Sequence, residues 1–191
     1  MASPPELPKP ILILDKSIVR PYHPSDAQSL SQAADSKTVA KYLRNTFPQP
    51  YTVAAAESWI SINQTPPIRN WAIVCPTSGR AMGSIGLVPG KDVYSRGYEL
   101  GYWLGEEFWG RKIMTELVPA FAGWVLAGMG DEHVEVDRLW AGVFSENKAS
   151  QGLLEKSGFQ LEGCLRKAVV KDGVLMDELI YSIIRADLVD W

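Results

Sequence analysis

The sequence is poor in the residues that build metal sites and covalent frameworks. Its 191 residues include only two cysteines and two histidines. Cys75 and Cys164 lie far apart and form no CxxC or Cys/His spacing. This pattern argues against a zinc site and gives no support for a disulfide framework. We therefore expect no bound metal.

Blocks of like charge and long apolar runs are lacking as well. The formal net charge is -3, from 19 Lys and Arg against 22 Asp and Glu, and no long run has one sign, so nothing favours nucleic acid as a partner. The apolar piece ILIL near the N-terminus is far too short for a membrane span or a signal peptide. These absences predict a soluble cytoplasmic protein with neither a nucleic acid nor a membrane as partner.

The chain has the composition of an ordinary globular protein. Hydrophobic residues make up 46% and charged residues 21%, and the length suits one domain with a sizeable core. Four prolines in the first ten residues predict a short extended leader over residues 1–10. The remainder, residues 11–191, is predicted to form a single domain.

The hydrophobic pattern predicts a mixed α/β order of elements. The segment ILILDKSIVRP favours one bent strand or two short ones, and two short helices and a helix capped by Thr52 follow. A period of two then indicates three strands, of which the last is GYELGYWLG. A helix over Ile113–Leu126, the strand DRLWAGVF, a short helix after Asn147 and a hairpin turning at Asp172 and Gly173 complete the chain.

One loop joins a predicted strand to a predicted helix and raises the question of what it binds. The sequence FWGRKIMTEL follows GYELGYWLG directly. Unpaired N–H groups and the positive end of a helix dipole meet there, which favours a phosphate. The loop is no P-loop, because GxxxxGK[ST] is absent, and it lacks the GxGxxG of dinucleotide-binding folds. The sequence therefore predicts a pyrophosphate bound by another backbone arrangement.

Several motifs, taken together, resemble the GNAT acetyltransferases, and within them the ribosomal-protein N-terminal acetyltransferases of the RimJ and RimL type. They are IVRPYHPSDA, ELGYWLGEEFWGRKIMTE, SENKASQGLLEKSGF and EGCLRK, and the likeness runs from about Ile11 to Trp191. It implies a twisted, mainly antiparallel sheet with helices on both faces, splayed between its fourth and fifth strands. It also implies acetyl-CoA as cosubstrate.

In that family the segment after the fourth strand binds the pyrophosphate of acetyl-CoA through backbone amides. The resemblance assigns cofactor binding to the end of that strand, to the loop and to the asparagine after the fifth strand: Trp103, Leu104, Trp109, Gly110, Arg111, Lys112, Ile113, Met114, Thr115 and Asn147. The family has small residues where this chain has Lys112 and Met114. A glycine enters unusual dihedrals that a lysine enters only at a cost, although the Lys112 ammonium could contact a phosphate.

Acetylation of an amine requires a deprotonated amine and a protonated leaving thiolate. Glu99, on the fourth strand, is the candidate base, acting directly or through water, and a solvated strand glutamate is the plain alternative. Asn147 and Ser150 match the family's N-x-x-S, in which the asparagine supports the pantetheine and the serine can protonate the thiolate. Both also fit simple helix-start roles. Many members use a tyrosine as the acid, and the helix after Asn147 contains none.

The resemblance implies transfer of acetyl to a primary amine by direct attack in a ternary complex, most simply to the N-terminal α-amine of a protein or peptide. A small amine, such as a polyamine, an amino acid or an aminoglycoside, is one alternative acceptor. A module of the same fold that binds CoA or a partner without catalysis is another alternative, supported by Lys112 and Met114. The sequence leaves the acceptor open, and monomer and homodimer stay equally open.

Overall fold

One sheet of eight strands forms the centre of the protein. The computed structural model describes residues 6–190, so the first five residues of the predicted leader lie outside the described residues. The strand order across the sheet is β1-β2-β3-β4-β5-β6-β8-β7. The strands are β1 (Leu12–Ile13), β2 (Ile18–Arg20), β3 (Asn70–Val74), β4 (Ala81–Pro89), β5 (Gly97–Leu104), β6 (Arg138–Phe144), β7 (Gln160–Lys171) and β8 (Val174–Ile184).

Five α-helices connect these strands within the described residues. They are α1 (Ala27–Ala34), α2 (Lys37–Ala40), α3 (Val53–Ile62), α4 (Ile113–Leu126) and α5 (Lys148–Lys156). The predicted cap of α3 is confirmed, because the Thr52 hydroxyl accepts a hydrogen bond from the Ala55 amide at 3.2 Å. The predicted β7–β8 turn is confirmed too: Asp172 and Gly173 have φ of 50° and 81°, as a tight hairpin requires.

The helices pack on both faces of the sheet, which confirms the predicted fold class. Strand β3 shows the arrangement most directly, because its successive side chains enter two different cores. Trp71 and Ile73 belong to the larger core, which is closed by α4 and α5. Ala72 and Val74 belong to the smaller core beneath α1 and α3. All four residues are buried.

Strands β5 and β6 separate partway along their length. They are the one parallel pair of neighbours in the described sheet, and they pair only where Gly97–Glu99 lies beside Arg138–Trp140. Beyond that point β5 stays paired with β4 up to Leu104, and β6 stays paired with β8 up to Phe144. The first apolar segment forms two strands, so β5 and β6 are the predicted fourth and fifth strands and the predicted splay is confirmed. Backbone groups that face the gap lack a strand partner.

A buried ion pair fixes the chain between β2 and α1. The Arg20 guanidinium donates to both carboxylate oxygens of Asp26, at 2.8 and 2.6 Å, and the two side chains are only 6% and 3% exposed. Asp26 also accepts a hydrogen bond from the His23 amide at 2.8 Å. Because the carboxylate is fully partnered, its burial is compatible with a stable fold.

Across residues 6–190, no helix combines the length and apolar character that a membrane span requires. In the same part of the chain, no group of three or more His, Cys, Asp or Glu side chains is arranged to hold a metal ion.

Candidate active site

The loop from β5 to α4 ends in two left-handed residues. Gly110 has φ of 72°, and Lys112 has φ of 60° and ψ of 19° directly before the first residue of α4. The lysine therefore occupies the kind of conformation for which the family's glycine is suited, as expected from the sequence. Alternation between right- and left-handed residues turns successive N–H groups to one side, which creates an anion-binding concavity.

The backbone amides at this point are free. Within the described chain, the N–H groups of residues 110–115 have no hydrogen-bond partner, and the next amide, that of Glu116, donates to the Lys112 carbonyl at 3.3 Å. A helix normally leaves its first amides unpaired, and here the loop extends that run. Six consecutive donors thus lie at the positive end of α4.

The Glu116 carboxylate holds this helix end against the edge of the sheet. Its two oxygens accept hydrogen bonds from the Asp15 amide at 2.9 Å and the Lys16 amide at 3.1 Å, both in the turn between β1 and β2. No local pattern predicts this contact, because its partners are 100 and 101 positions apart in the chain. The free amides are consequently positioned by an anchor on the sheet.

The side chains of the predicted cofactor residues differ in their surroundings. Ile113 is buried in the core, so only its backbone can face a ligand, and Met114 is partly buried against the same core. Arg111 lies over the Phe108 ring, with 5.7 Å from its guanidinium carbon to the ring centroid. Trp109 is 45% exposed. Gly110, Lys112 and Thr115 are exposed as well.

Trp109 also marks the end of the splay. Its indole N–H donates to the Leu104 carbonyl at 2.7 Å. Leu104 is the last residue of β5, and the neighbouring Trp103 is partly buried against both cores. The two predicted strand-end residues therefore lie beside the gap between β5 and β6, next to the β5–α4 loop.

A pair of hydroxyl groups bridges the gap on the α4 side of the sheet. Tyr102 of β5 and Ser150 of α5 lie 2.7 Å apart, oxygen to oxygen. Burial raises the pKa of Tyr102 to about 12, so the phenol keeps its proton at neutral pH. Asn147 accepts a hydrogen bond from the Ser150 amide at 3.2 Å and is the N-cap of α5. Tyr102 was not predicted as a candidate acid, because the resemblance pointed to a tyrosine in the helix after Asn147.

Glu99 lies on the opposite face of β5 and is paired with a residue that the sequence analysis missed. The Arg44 guanidinium donates to the Glu99 carboxylate at 2.6 Å. The Arg44 side chain is 68% exposed and that of Glu99 22% exposed. Arg44 lies in residues 41–52, the segment between α2 and α3, and no local pattern links it to a glutamate 55 positions later.

A cavity of about 270 Å³ lies beside this ion pair, and we call it the aromatic cavity. Its walls come from the 41–52 segment, α3, β4 and β5. The aromatic residues in its lining are Phe47, Tyr51, Trp59, Tyr102 and Trp103, and Arg44 and Glu99 contribute the charged groups. Of these, Tyr102 turns its hydroxyl to the α4 side. The cavity therefore suits a group with an apolar body and a charged end.

The 41–52 segment reaches across the splay to the last strands of the sheet. The Asn45 side-chain amide donates to the Val170 carbonyl on β7 at 3.1 Å. The Tyr42 hydroxyl donates to the Glu146 carbonyl, just before α5, at 3.4 Å. These contacts cover the aromatic cavity on the side of α1 and α3, away from the free amides of α4.

Comparison with known proteins agrees with this geometry. The family model described as an acetyltransferase (GNAT) domain matches residues 16–160. The chain is 27% identical over 178 residues to YoaA of Bacillus subtilis (strain 168), an uncharacterized N-acetyltransferase, and the match covers 92% of this chain and 97% of that protein. The chain therefore belongs to the GNAT family. It is an N-acetyltransferase whose acetyl donor is acetyl-CoA.

Solved structures show the same fold at lower identity. The ribosomal L7/L12 alpha-N-protein acetyltransferase RimL, in complex with coenzyme A, superposes with a TM-score of 0.76 at 20% identity, over 92% of this chain and 98% of that one. The microcin C7 self-immunity acetyltransferase MccE, in complex with acetyl-CoA and AMP, superposes with a TM-score of 0.72 at 21% identity, over 90% and 93%.

Proposed function

We propose that this protein acetylates the primary α-amine of a protein or peptide N-terminus, in the manner of the RimJ and RimL enzymes, by direct attack in a ternary complex. The observation that carries the proposal is the separation of β5 from β6 after Glu99 and Trp140. It leaves one passage through the sheet, with free amides at one end and a carboxylate beside an aromatic cavity at the other.

The donor is proposed to bind on the α4 side. The free amides of residues 110–115 are suited to its pyrophosphate, because these unpaired N–H donors lie at the positive end of a helix dipole. The pantetheine would then lie in the gap, where the strand end at Trp103 and Leu104 offers unpaired backbone groups. Asn147, at the start of α5, lies on the far side of the same gap.

The residues around the gap supply the two proton transfers that the reaction needs. Glu99 is proposed to receive the proton of the acceptor ammonium, directly or through water, which leaves a lone pair on nitrogen to attack the thioester carbonyl carbon. An amide at the end of β5 polarises that carbonyl. When the carbon–sulfur bond breaks, Ser150 gives its proton to the thiolate and recovers one from Tyr102, 2.7 Å away. The second proton that the nitrogen loses as the amide forms returns to Tyr102 through water.

The volume of the aromatic cavity limits the size of the acceptor group that it can hold. At about 270 Å³ it lies just below the range of roughly 300–1,000 Å³ typical of pockets for drug-sized ligands. One residue with an apolar side chain would fill it and place its α-amine beside Glu99. The contact between Asn45 and Val170 narrows the approach for a longer peptide, and this favours a small aromatic amine as the second candidate.

Calorimetry followed by a turnover assay tests the proposal. Acetyl-CoA, CoA and dephospho-CoA are titrated first, and thiol release is then followed with short peptides that differ in their first residue. The matched controls are the same peptides with a blocked N-terminus, and phenylalanine amide and spermidine represent small amines. We expect saturable binding of acetyl-CoA and turnover of free N-termini only. Turnover of small amines without any peptide would overturn the peptide assignment, and no binding at millimolar acetyl-CoA would overturn the donor site.

A further inference from the structure

A second glutamate lies on the Glu99 side of the sheet, on the far side of the splay. Glu178 belongs to β8 and is paired in register with Phe144 of β6 and Leu165 of β7. The next residue, Leu179, packs against the larger core under α4 and α5. Because side chains alternate along a strand, the Glu178 side chain points to the other face, where Glu99 and Arg44 lie. Glu178 is partly buried.

Gly142 of β6 makes room for the Glu178 carboxylate. A Cβ atom built on Gly142 would overlap that carboxylate, with only 2.9 Å to its Cδ. The Glu178 side chain therefore extends across β6, the strand that separates from β5. Any larger residue at position 142 would push the carboxylate away from the gap.

The charges around Glu178 come from the groups already placed at the aromatic cavity. Burial and the negative charge of Glu99 raise the pKa of Glu178, and the positive charge of Arg44 acts in the opposite direction. The β6 residues on the same face, Trp140 and Phe144, carry no charge. Glu99 on β5 and Arg44 in the 41–52 segment are thus the charged groups that act on it.

Nothing in the described structure uses this carboxylate to hold the fold together. Among residues 6–190, the Glu178 side chain has no hydrogen-bond or ion-pair partner, whereas Glu99 is paired with Arg44. A partly buried carboxylate without a partner weakens the folded state. Such a cost is typical of functional sites, where strained or unpaired groups are retained for their chemistry.

We propose that Glu178 and Glu99 share the base role that was given above to Glu99 alone: Glu99 binds the acceptor ammonium, and Glu178 finally holds the proton that leaves it. This inference rests on the proposed function. The nitrogen–hydrogen bond of the ammonium breaks, an oxygen–hydrogen bond forms on Glu178, and the electron pair left on nitrogen attacks the thioester. Arg44 faces Glu99 and Glu178 has no such partner among the described residues, while two neighbouring carboxylates hold one proton more readily than either does alone.

Kinetics of two glutamine variants test the division of labour. With any amine that the wild type acetylates, E178Q should lower kcat on the order of 100-fold and remove the rise of kcat with pH, while E99Q should chiefly raise the acceptor KM. D172N, a carboxylate-to-amide change at the exposed tip of the same hairpin, is the control and should match the wild type. An E178Q enzyme with unchanged kcat and pH profile would overturn the proposal.

Two glycine variants test the geometry without removing the carboxylate. G142A should displace the Glu178 side chain and lower kcat about tenfold, because the carboxylate would no longer be in place to hold the proton. The strand itself can keep its pairing. G163A is the matched control, since a Cβ at that β7 glycine meets no atom within 4 Å. Equal kcat for both variants and the wild type would contradict the role of Gly142.

A spectroscopic titration separates this inference from the proposed function. If no amine in the panel is acetylated, the proposed function fails, and the pair can still be examined by following the Glu178 carboxyl carbon by NMR as pH is raised. We expect its titration midpoint to lie above that of an ordinary glutamate and to fall in E99Q, because the like charge has gone. A midpoint that does not move in E99Q would show that the two carboxylates do not interact.

Discussion

The two ends of the passage between β5 and β6 are built from different parts of the chain. On the α4 side the groups that face the gap are backbone amides, those of residues 110–115. On the side of α1 and α3 they are side chains, with Arg44 and Glu99 beside an aromatic cavity. The donor end is therefore defined by backbone conformation, and the acceptor end by residue identity.

This difference explains how the loop can depart from its family's pattern. Lys112 and Met114 replace small residues, yet Lys112 adopts the left-handed conformation and Met114 turns its side chain to the core, so the amides stay free. No such tolerance is expected at Glu99, because an amide in its place can neither form an ion pair with the acceptor ammonium nor balance Arg44. The predictions below test this contrast, from the largest effect to the smallest.

The largest effect should follow from breaking the buried ion pair between β2 and α1, since α1 lies on the acceptor side of the sheet. D26A leaves the buried Arg20 charge without its partner, which should cost about 3–5 kcal/mol of unfolding free energy and lower Tm by roughly 6–20 °C. Urea unfolding and calorimetry measure both. E107A, which removes an ion pair whose side chains are about half exposed, is the control and should cost less than about 1 kcal/mol. Equal losses in the two variants would contradict this reasoning.

The next effect is on the acceptor reaction itself. E99Q should lower kcat/KM for the acceptor on the order of 100-fold, because the carboxylate beside the cavity is lost. Calorimetry should show acetyl-CoA binding within twofold of wild type, since the amides lie at the other end of the passage. E57Q, on the exposed side of α3, is the control. A parallel loss of acetyl-CoA affinity in E99Q would mean that the two ends are not independent.

A smaller effect is expected at the hydroxyl pair between the two ends. Y102F removes the phenol that lies 2.7 Å from Ser150, and kcat should fall about tenfold. Adding S150A to Y102F should then cost little more, because residues that act as one relay are not additive. Y94F, at an exposed tyrosine, is the control. Full additivity of the two changes would argue against a shared proton path.

Much of the fold could be predicted from the sequence because it depends on local signals. The period of two in β3 to β5, the Thr52 cap and the Asp172–Gly173 turn each act within a few residues. The order of these elements and the motifs around them carried the resemblance to the GNAT family, and that resemblance implied the splay. For the first apolar segment the sequence left one bent strand or two short strands open, and the structure has two, β1 and β2.

The chemistry at the acceptor end could not be predicted in the same way, because its pairs join distant positions. Arg44 meets Glu99 across 55 residues, and Tyr102 meets Ser150 across 48. No periodicity links such residues, since their meeting depends on how the 41–52 segment and α5 pack on the sheet. Glu178 could not be predicted as a site residue for a further reason. The position of its carboxylate depends on the space left by Gly142, which has no side chain.

The smallest effect should come from Lys112, and it decides whether the donor end is truly built from backbone. K112G keeps the left-handed conformation and removes its cost, which is about 1 kcal/mol for a non-glycine residue, so Tm should rise by up to about 2–4 °C. K112M removes only the ammonium. If amides provide the recognition, calorimetry should show acetyl-CoA binding within about threefold of wild type in both variants, as in the exposed control K91M. A loss of tenfold or more in both would show that the ammonium contacts a phosphate, and the contrast between the two ends would then weaken, because a side chain would be needed at each.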